Sequence, residues 1–302
     1  MNMQTIEIIG VPLDLGANRR GTDMGPSAVR YAGLNKALTK MGLKIVDNGN
    51  IDVPVPESIK VANPDFLFLE EIVKACEKLC SQVSEIMARE NFPLVLGGDH
   101  SIAIGTLAGV SRSVENVGLI WFDAHGDFNT LKTSETGNIH GMSLAALTGH
   151  GNEKLVNVGG FKPKVKEEKT VLIGIRDLDP DEKASLNDSK VTVFSMKKVD
   201  ELGIANIVKE ALLIAGRGGS GIHVSFDLDV VDPSTASGVG TPVTGGLSYR
   251  EAHLALELIA ETKMLKSLEI CEVNPIVDFG GNRTAKLAVE LISSALGKRI
   301  YD

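Results

Sequence analysis

The sequence predicts an α/β fold: a single domain with a largely parallel β-sheet and helices on both faces. Three observations lead there. Short β-branched runs alternate with longer stretches of helical periodicity along the chain. Several of the short runs, VGLIWF and GIHVSF among them, are almost continuously apolar, as strands covered on both faces must be. No repeat, low-complexity stretch or clear linker divides the 302 residues, so one domain over 1–302 is expected.

In chain order, the first strand is expected at Ile6–Val11, followed by helical periodicity at Ser27–Met41. Leu43–Val46 reads as a strand and Asp65–Arg89 as a long helix. Pro93–Leu96 precedes a helix at Ile102–Ser113, and Gly118–Phe122 is the next apolar run. Strands at Thr170–Ile175 and Val191–Phe194 lead into helical periodicity at Lys197–Ala215. Ile222–Phe226 is followed by Tyr249–Thr262, and Leu268–Val273 by Arg283–Leu296. Strands joined through helices imply right-handed crossovers and parallel pairing.

Composition narrows the function. Hydrophobic residues make up 43%, enough for a large core, and the formal net charge is −8. That charge speaks against nucleic acid and against an anionic membrane surface, and it is compatible with a small cationic substrate. No apolar run approaches the roughly 20 residues of a membrane helix. The opening MNMQTIEIIGVPLD reads as a strand with no signal core, and cytoplasm is the expected compartment. Three cysteines do not make a disulfide framework. Cys76 and Cys80, four apart on a helical stretch, read as small core residues on one helix face.

Chemistry gathers at strand ends, where open parallel sheets place their ligands. PLVLGG runs into Asp99 and His100, GLIWF into Asp123, His125 and Asp127, IHVSF into Asp227 and Asp229, and SLEIC into Glu272. The Asp-x-His-x-Asp and Asp-x-Asp spacings put alternate side chains on one face, free to splay around a cation. His100 follows a Gly-Gly pair that permits a sharp bend. Four aspartates balance the charge of two divalent cations, whereas a single cation would leave them repelling one another. Oxygen and imidazole donors without thiolate favour Mn²⁺ or a similar ion over structural zinc. A lone Asp-x-Asp is more often a turn or helix cap. It is the coincidence of several such sets at strand ends that points to a two-metal hydrolytic centre.

These residues resemble the ureohydrolase family, and within it the arginases. The matching motifs are GVPLDLGANRRGTDMGPSAVR at 10–30, GGDHS at 97–101, DAHGDFNT at 123–130, TGNIHG at 136–141, SFDLDVVDP at 225–233, GVGTPVTGGLSYRE at 238–251 and EVNP at 272–275. The resemblance implies an arginase/deacetylase-like fold and a pair of Mn²⁺ ions per chain, with other divalent ions such as Co²⁺ as substitutes. It implies that His100 and Asp127 bind one metal, that His125 and Asp229 bind the other, and that Asp123 and Asp227 bridge. The implied reaction is hydrolysis of L-arginine to L-ornithine and urea by hydroxide held between the metals. Asp127 would also accept a hydrogen bond from that hydroxide, Glu272 would pair with the guanidinium, and His140 would shuttle a proton to the leaving amine. Asn129, Ser134, Thr136 and Asn138 are implied for the substrate carboxylate, with Asp179, Glu182 and Thr241 also in the substrate site. Thr136 stands where the family has serine, and keeps the hydroxyl.

His150, His223 and His253 have no motif and read as structural or solvated. Asp99 and Asp232 read as supporting or loop-capping groups, and Arg19 and Arg20 take no role. The alternatives are another ureohydrolase, such as agmatinase or guanidinobutyrase, and a non-catalytic metal-binding protein on this fold. A single-metal deacetylase would be expected to carry a different ligand pattern. A homo-oligomer, trimer or hexamer, follows from the resemblance alone.

Overall fold

The computed structural model describes residues 4–59, 68–219, 221–299 and 301. Its strands are β1 (Ile6–Val11), β2 (Ile45–Asn50), β3 (Phe92–Gly97), β4 (Gly118–Phe122), β5 (Thr170–Ile175), β6 (Thr192–Ser195), β7 (Ile222–Asp227) and β8 (Leu265–Cys271). They form one eight-stranded sheet in the order β2-β1-β3-β8-β7-β4-β5-β6. Each of the seven neighbouring pairs is parallel. The helices are α1 (Gly25–Tyr31), α2 (Leu34–Lys40), α3 (Leu69–Ala88), α4 (Ala103–Ser113), α5 (Ser143–Thr148), α6 (Glu153–Val156), α7 (Pro180–Asp188), α8 (Met196–Leu202), α9 (Ile204–Ala215), α10 (Tyr249–Thr262) and α11 (Arg283–Ala295).

Apolar side chains divide between two cores, one on each face of the sheet, because alternate strand residues point opposite ways. In β4, Ile120 and Phe122 join α1, α2, α9, α10 and α11 on one face, while Leu119 and Trp121 join α3, α4 and α5 on the other. α3 and α4 pack closely: a Cβ on Gly105 would lie 2.6 Å from the Cys76 carbonyl, and one on Gly109 would lie 2.6 Å from Val83 Cβ. Cys76 and Cys80 are therefore buried spacers in this contact, and burial pushes both thiols up from their ordinary pKa.

Four expected elements need correction. The helix expected at Ser27–Met41 is two helices, because Gly33 adopts φ 98° between α1 and α2. The one expected at Lys197–Ala215 is also two, broken at Gly203 with φ 77°. The strand expected at Leu268–Val273 starts at Leu265 and ends at Cys271, since Glu272 turns out of it at φ 64°. The Asp65–Arg89 helix is described from Leu69 to Ala88, and residues 65–67 lie outside the described residues. β2 falls at Ile45–Asn50 rather than Leu43–Val46 and is mostly exposed, as an edge strand can be. Among the described helices, none is long and apolar enough to cross a membrane.

Candidate metal centre and substrate cleft

The central strands β3, β8, β7 and β4 are four consecutive neighbours, and these are the strands whose carboxyl ends carry the predicted donors. Parallel pairing points all four ends the same way, so His100, Glu272, Asp227, Asp229, Asp123, His125 and Asp127 meet in one cleft.

His100 Nδ1 lies 3.1 Å from Asp123 Oδ2, 3.2 Å from Asp127 Oδ2 and 3.2 Å from Asp227 Oδ2. All four side chains are buried. His125 Nδ1 lies 3.0 Å from Asp229 Oδ2 and 3.3 Å from Asp123 Oδ1. Asp123 thus turns one oxygen toward each imidazole, and the donors form two groups, His100–Asp123–Asp227 and Asp123–His125–Asp229, that share it. Two ligands held at right angles about 2.1 Å from one small divalent cation stand about 3 Å apart, which is the spacing found here. The hydrogen bonding fits the same reading. His100 Nδ1 and Asp127 Oδ2 are buried with no aligned hydrogen-bond partner among the described residues. Buried polar atoms are rarely left so, and a cation would satisfy both. The residues therefore fit a divalent pair.

What surrounds the donors orients them. Trp121, two residues before Asp123 on the same strand face, donates its indole N–H to Asp123 Oδ2 at 2.9 Å and stacks on His100 with ring centroids 4.0 Å apart. His100 Nε2 is 2.7 Å from Ser225 Oγ, which in turn donates to Glu269 Oε1 at 2.6 Å. With the serine proton engaged by Glu269, the His100 Nε2–H is the donor to Ser225, and Nδ1 is the nitrogen turned toward the carboxylates. Asp227 Oδ1 accepts from the Asp229 N–H at 2.7 Å and Asp229 Oδ1 from the Ala124 N–H at 3.0 Å, leaving each with a second oxygen facing the cluster. Trp121, Ser225 and Glu269 were not singled out in the sequence. For Trp121 and Ser225 the signal is a solitary aromatic or polar residue two positions before a ligand in an apolar strand; for Glu269 it is only a charge inside an apolar strand.

Electrostatics follow from burial. Burial opposes charge on both imidazoles, yet the carboxylates hold His100 and His125 well above the ordinary imidazole value. Burial likewise opposes ionisation of Asp123, but the two imidazoles beside it hold it below the usual range. Asp127 is pushed up to about 6 by burial and by the Asp123 charge. A divalent cation would displace the imidazole protons and return the carboxylates to their ionised form.

His140 and Glu272 stand at the edge of the cluster. Glu272 Oε1 accepts from the His100 backbone N–H at 2.9 Å and lies 3.2 Å from His140 Nδ1. Glu272 Oε2 is buried without a partner, with Gly240 so close that a Cβ there would come within 2.8 Å of it. Burial opposes the charged form of His140, but its bond to Glu272 outweighs that and raises it to about 9. Asp99 takes the supporting place expected of it: it accepts from the Gly16 N–H at 2.7 Å and the Ser101 N–H at 3.0 Å. Asp232 caps a loop, accepting from the N–H groups of Ser234 at 3.0 Å and Gly245 at 2.8 Å. Asp127 and Glu272 are non-glycine residues at φ 48° and 64°. Such strain, of order 1–3 kcal/mol each, persists where the surroundings impose it.

Outside the cluster the cleft is lined by Asn129, Ser134, Thr136, Asn138, Asp179, Glu182 and Thr241, so the structure brings together every residue expected there. Asp179 sits at the start of α7 before Pro180, but its side chain does not cap the helix; it accepts from Asn129 Nδ2 at 2.9 Å. Glu182 accepts from the Phe128 N–H at 2.8 Å, and burial raises it to about 7. Thr241 donates to Asp229 Oδ2 at 3.2 Å. The other three histidines lie elsewhere: His223 and His253 are buried against Ser267 and Ser294, and His150 is paired with Glu167.

The Arginase family profile matches residues 4–297. The chain belongs to the arginase family. An arginase from Brevibacillus brevis is 52% identical over 297 residues, covering 98% of this chain and 99% of that protein. The native structure of the Bacillus caldovelox arginase superposes with a TM-score of 0.96 at 48% identity, covering 99% of this chain and all of that one. A Bacillus subtilis arginase structure gives 0.93 at 48% identity over the same shares. The strand-end cleft of this arginase-family chain is thus set in a fold that solved arginases share over their full length, and the family implies a binuclear divalent site where the buried His/Asp clusters lie.

Proposed function

We propose that this chain, as a single domain over 1–302, hydrolyses L-arginine to L-ornithine and urea. The observation that carries the reading is the buried, unpartnered Oε2 of Glu272 in the same cleft as the paired His/Asp groups. A guanidinium N–H would satisfy that oxygen. His100, Asp127, Asp123 and Asp227 would hold one cation, and His125 and Asp229 with the same two bridging aspartates the other, as Mn²⁺ or another divalent ion such as Co²⁺. When bound, such a pair lowers the pKa of water enough to supply hydroxide at neutral pH.

The chain's own groups do the rest. Glu272 orients the guanidinium through Oε2, while Oε1 stays engaged by His100 and His140. With Oε1 so engaged, Glu272 offers the guanidinium one oxygen and not the two-pronged pairing that a free carboxylate gives. Asp127 accepts a hydrogen bond from the attacking water. His140, raised to about 9 by Glu272, carries a proton at neutral pH and can deliver it to the departing amine nitrogen. Asn129, Ser134, Thr136 and Asn138 offer amide and hydroxyl donors to the α-carboxylate, while Asp179 and Glu182 face the α-ammonium.

Agmatine separates this reading from the other ureohydrolases, because it has the guanidinium and lacks the carboxylate. A site built to bond a polar group rejects an analogue lacking it by roughly 10⁴–10⁵-fold. Urea release from both substrates, with metal content measured on the same sample, is the test: kcat/KM should favour arginine by orders of magnitude. Equal values would move the assignment to another ureohydrolase, and no urea from either would leave a metal-binding protein. Association into a homo-oligomer in the cytoplasm belongs to the same proposal, and sedimentation measures the first part of it.

A further inference from the structure

Two arginines outside the proposed chemistry grip one segment of backbone. Arg19 follows β1 and donates from Nη1 to the Gly240 carbonyl at 2.8 Å. Arg176 follows β5 and is half-buried. Its Nη2 donates to the carbonyls of Val243 at 2.7 Å and Asp229 at 2.6 Å, and its Nε lies 3.3 Å from the Thr244 carbonyl. Its Nη1 reaches the carbonyls of Gly174 at 3.2 Å and Val230 at 3.3 Å. Gly246 leaves room for this guanidinium, since a Cβ there would lie 2.7 Å from Nη2. Neither arginine pairs with a carboxylate across the 240–244 segment among the described residues. Both spend their donors on carbonyl oxygens.

The gripped segment, 240–244, touches both halves of the site. Gly240 closes against Glu272 Oε2, and Thr241 bonds Asp229 Oδ2. We infer that Arg19 and Arg176 are positioning residues that hold this segment from its two ends, Arg19 setting the wall beside Glu272 and Arg176 tying the segment to the Asp229 backbone. Five donors in a rigid plane suit a guanidinium to this task, and an ammonium cannot span the same carbonyls. The inference deepens the arginine-hydrolase reading and rests on it for the role of Glu272.

The test is a double-mutant cycle with two readouts: KM and kcat for urea release, and Mn²⁺ affinity of the metal-free protein by titration calorimetry. Arg19→Ala should raise KM about tenfold, the worth of one hydrogen bond from a charged donor, and leave Mn²⁺ affinity within about twofold. Arg176→Lys should weaken Mn²⁺ binding about tenfold as well as raise KM, because it releases Asp229 while keeping the charge. Two residues holding one segment are coupled, so the double variant should lose less than the product of the single effects. Wild-type Mn²⁺ affinity in Arg176→Lys would show that only its charge matters and would overturn the inference, as would strictly multiplicative KM effects. Arg19→Ala, an exposed single-bond change, keeps the test open if the Arg176 variant does not fold. A wild-type protein that releases no urea would break the functional reading, while the Mn²⁺ titration of Arg176→Lys would still decide the clamp.

Discussion

His100 presents Nδ1 to three carboxylate oxygens because Ser225 and Glu269 occupy its other nitrogen. Removing the serine hydroxyl should free the tautomer without touching a ligand. Ser225→Ala is expected to lower metal affinity about 10–100-fold, the usual cost of a lost supporting hydrogen bond, with Ser225→Thr recovering part of it. Metal titration at fixed pH reads this, and unchanged affinity would mean that packing by Trp121 alone orients the ring. The aspartates and histidines of the cluster were legible in sequence because they gather within a few residues after an apolar run. Their supports were not, because a serine or glutamate inside a strand looks like noise until pairing shows β7 and β8 side by side. Glu182 gives a second prediction at this scale. Burial raises it to about 7, so it binds a proton below that pH and can face an ammonium only above it. KM for arginine should therefore fall as pH rises through about 7, and Glu182→Gln should flatten that dependence. A wild-type KM constant from pH 6 to 8 would remove Glu182 from the substrate site.

At the level of elements, β1, β4 and β5 fall at the residues the apolar runs indicated, because continuous burial leaves one assignment. Breaks at Gly33 and Gly203 were hidden, since periodicity continues across each and only the positive φ interrupts the helix. The short helices α5 and α6 were missed because neither is long enough to show a period, and α7 because PDEKASLND has too few apolar residues to mark one. Gly105 on α4 makes the element scale testable. Its hydrogen faces the Cys76 carbonyl, where a methyl group would sit at 2.6 Å. Although alanine favours helix, Gly105→Ala should destabilise the protein by about 1–3 kcal/mol through overpacking. Denaturant melts should show the midpoint falling while the ratio of metal to protein stays at its wild-type value. A stabilised Gly105→Ala would mean that α3 and α4 can separate at little cost.

At the scale of the whole molecule, the sheet spends its most buried ground on charge. Four aspartates and two histidines stand together at the end of the central strands, and without cations their protonation must carry the balance. The pH dependence follows from the signs. The folded imidazoles of His100 and His125 sit above their unfolded value, so their contribution to metal-free stability is complete at low pH and is lost as pH rises through the folded values. Asp127, at about 6, lies above its unfolded value, so protonation favours the metal-free fold below about pH 4, and this support is lost as pH rises to 6. Both trends weaken the metal-free protein as pH rises. Metal binding runs the other way, because each cation needs bare imidazole and ionised carboxylate, so affinity grows with pH. A ligand at 100 times its Kd stabilises by about 2.7 kcal/mol, and the gap widens as Kd falls. The difference in melting temperature between Mn²⁺-loaded and chelator-treated protein should therefore increase steadily from pH 6 to pH 9. A constant difference across that range would show that protons and metal do not compete for these donors, and the proposed two-metal centre would lie elsewhere.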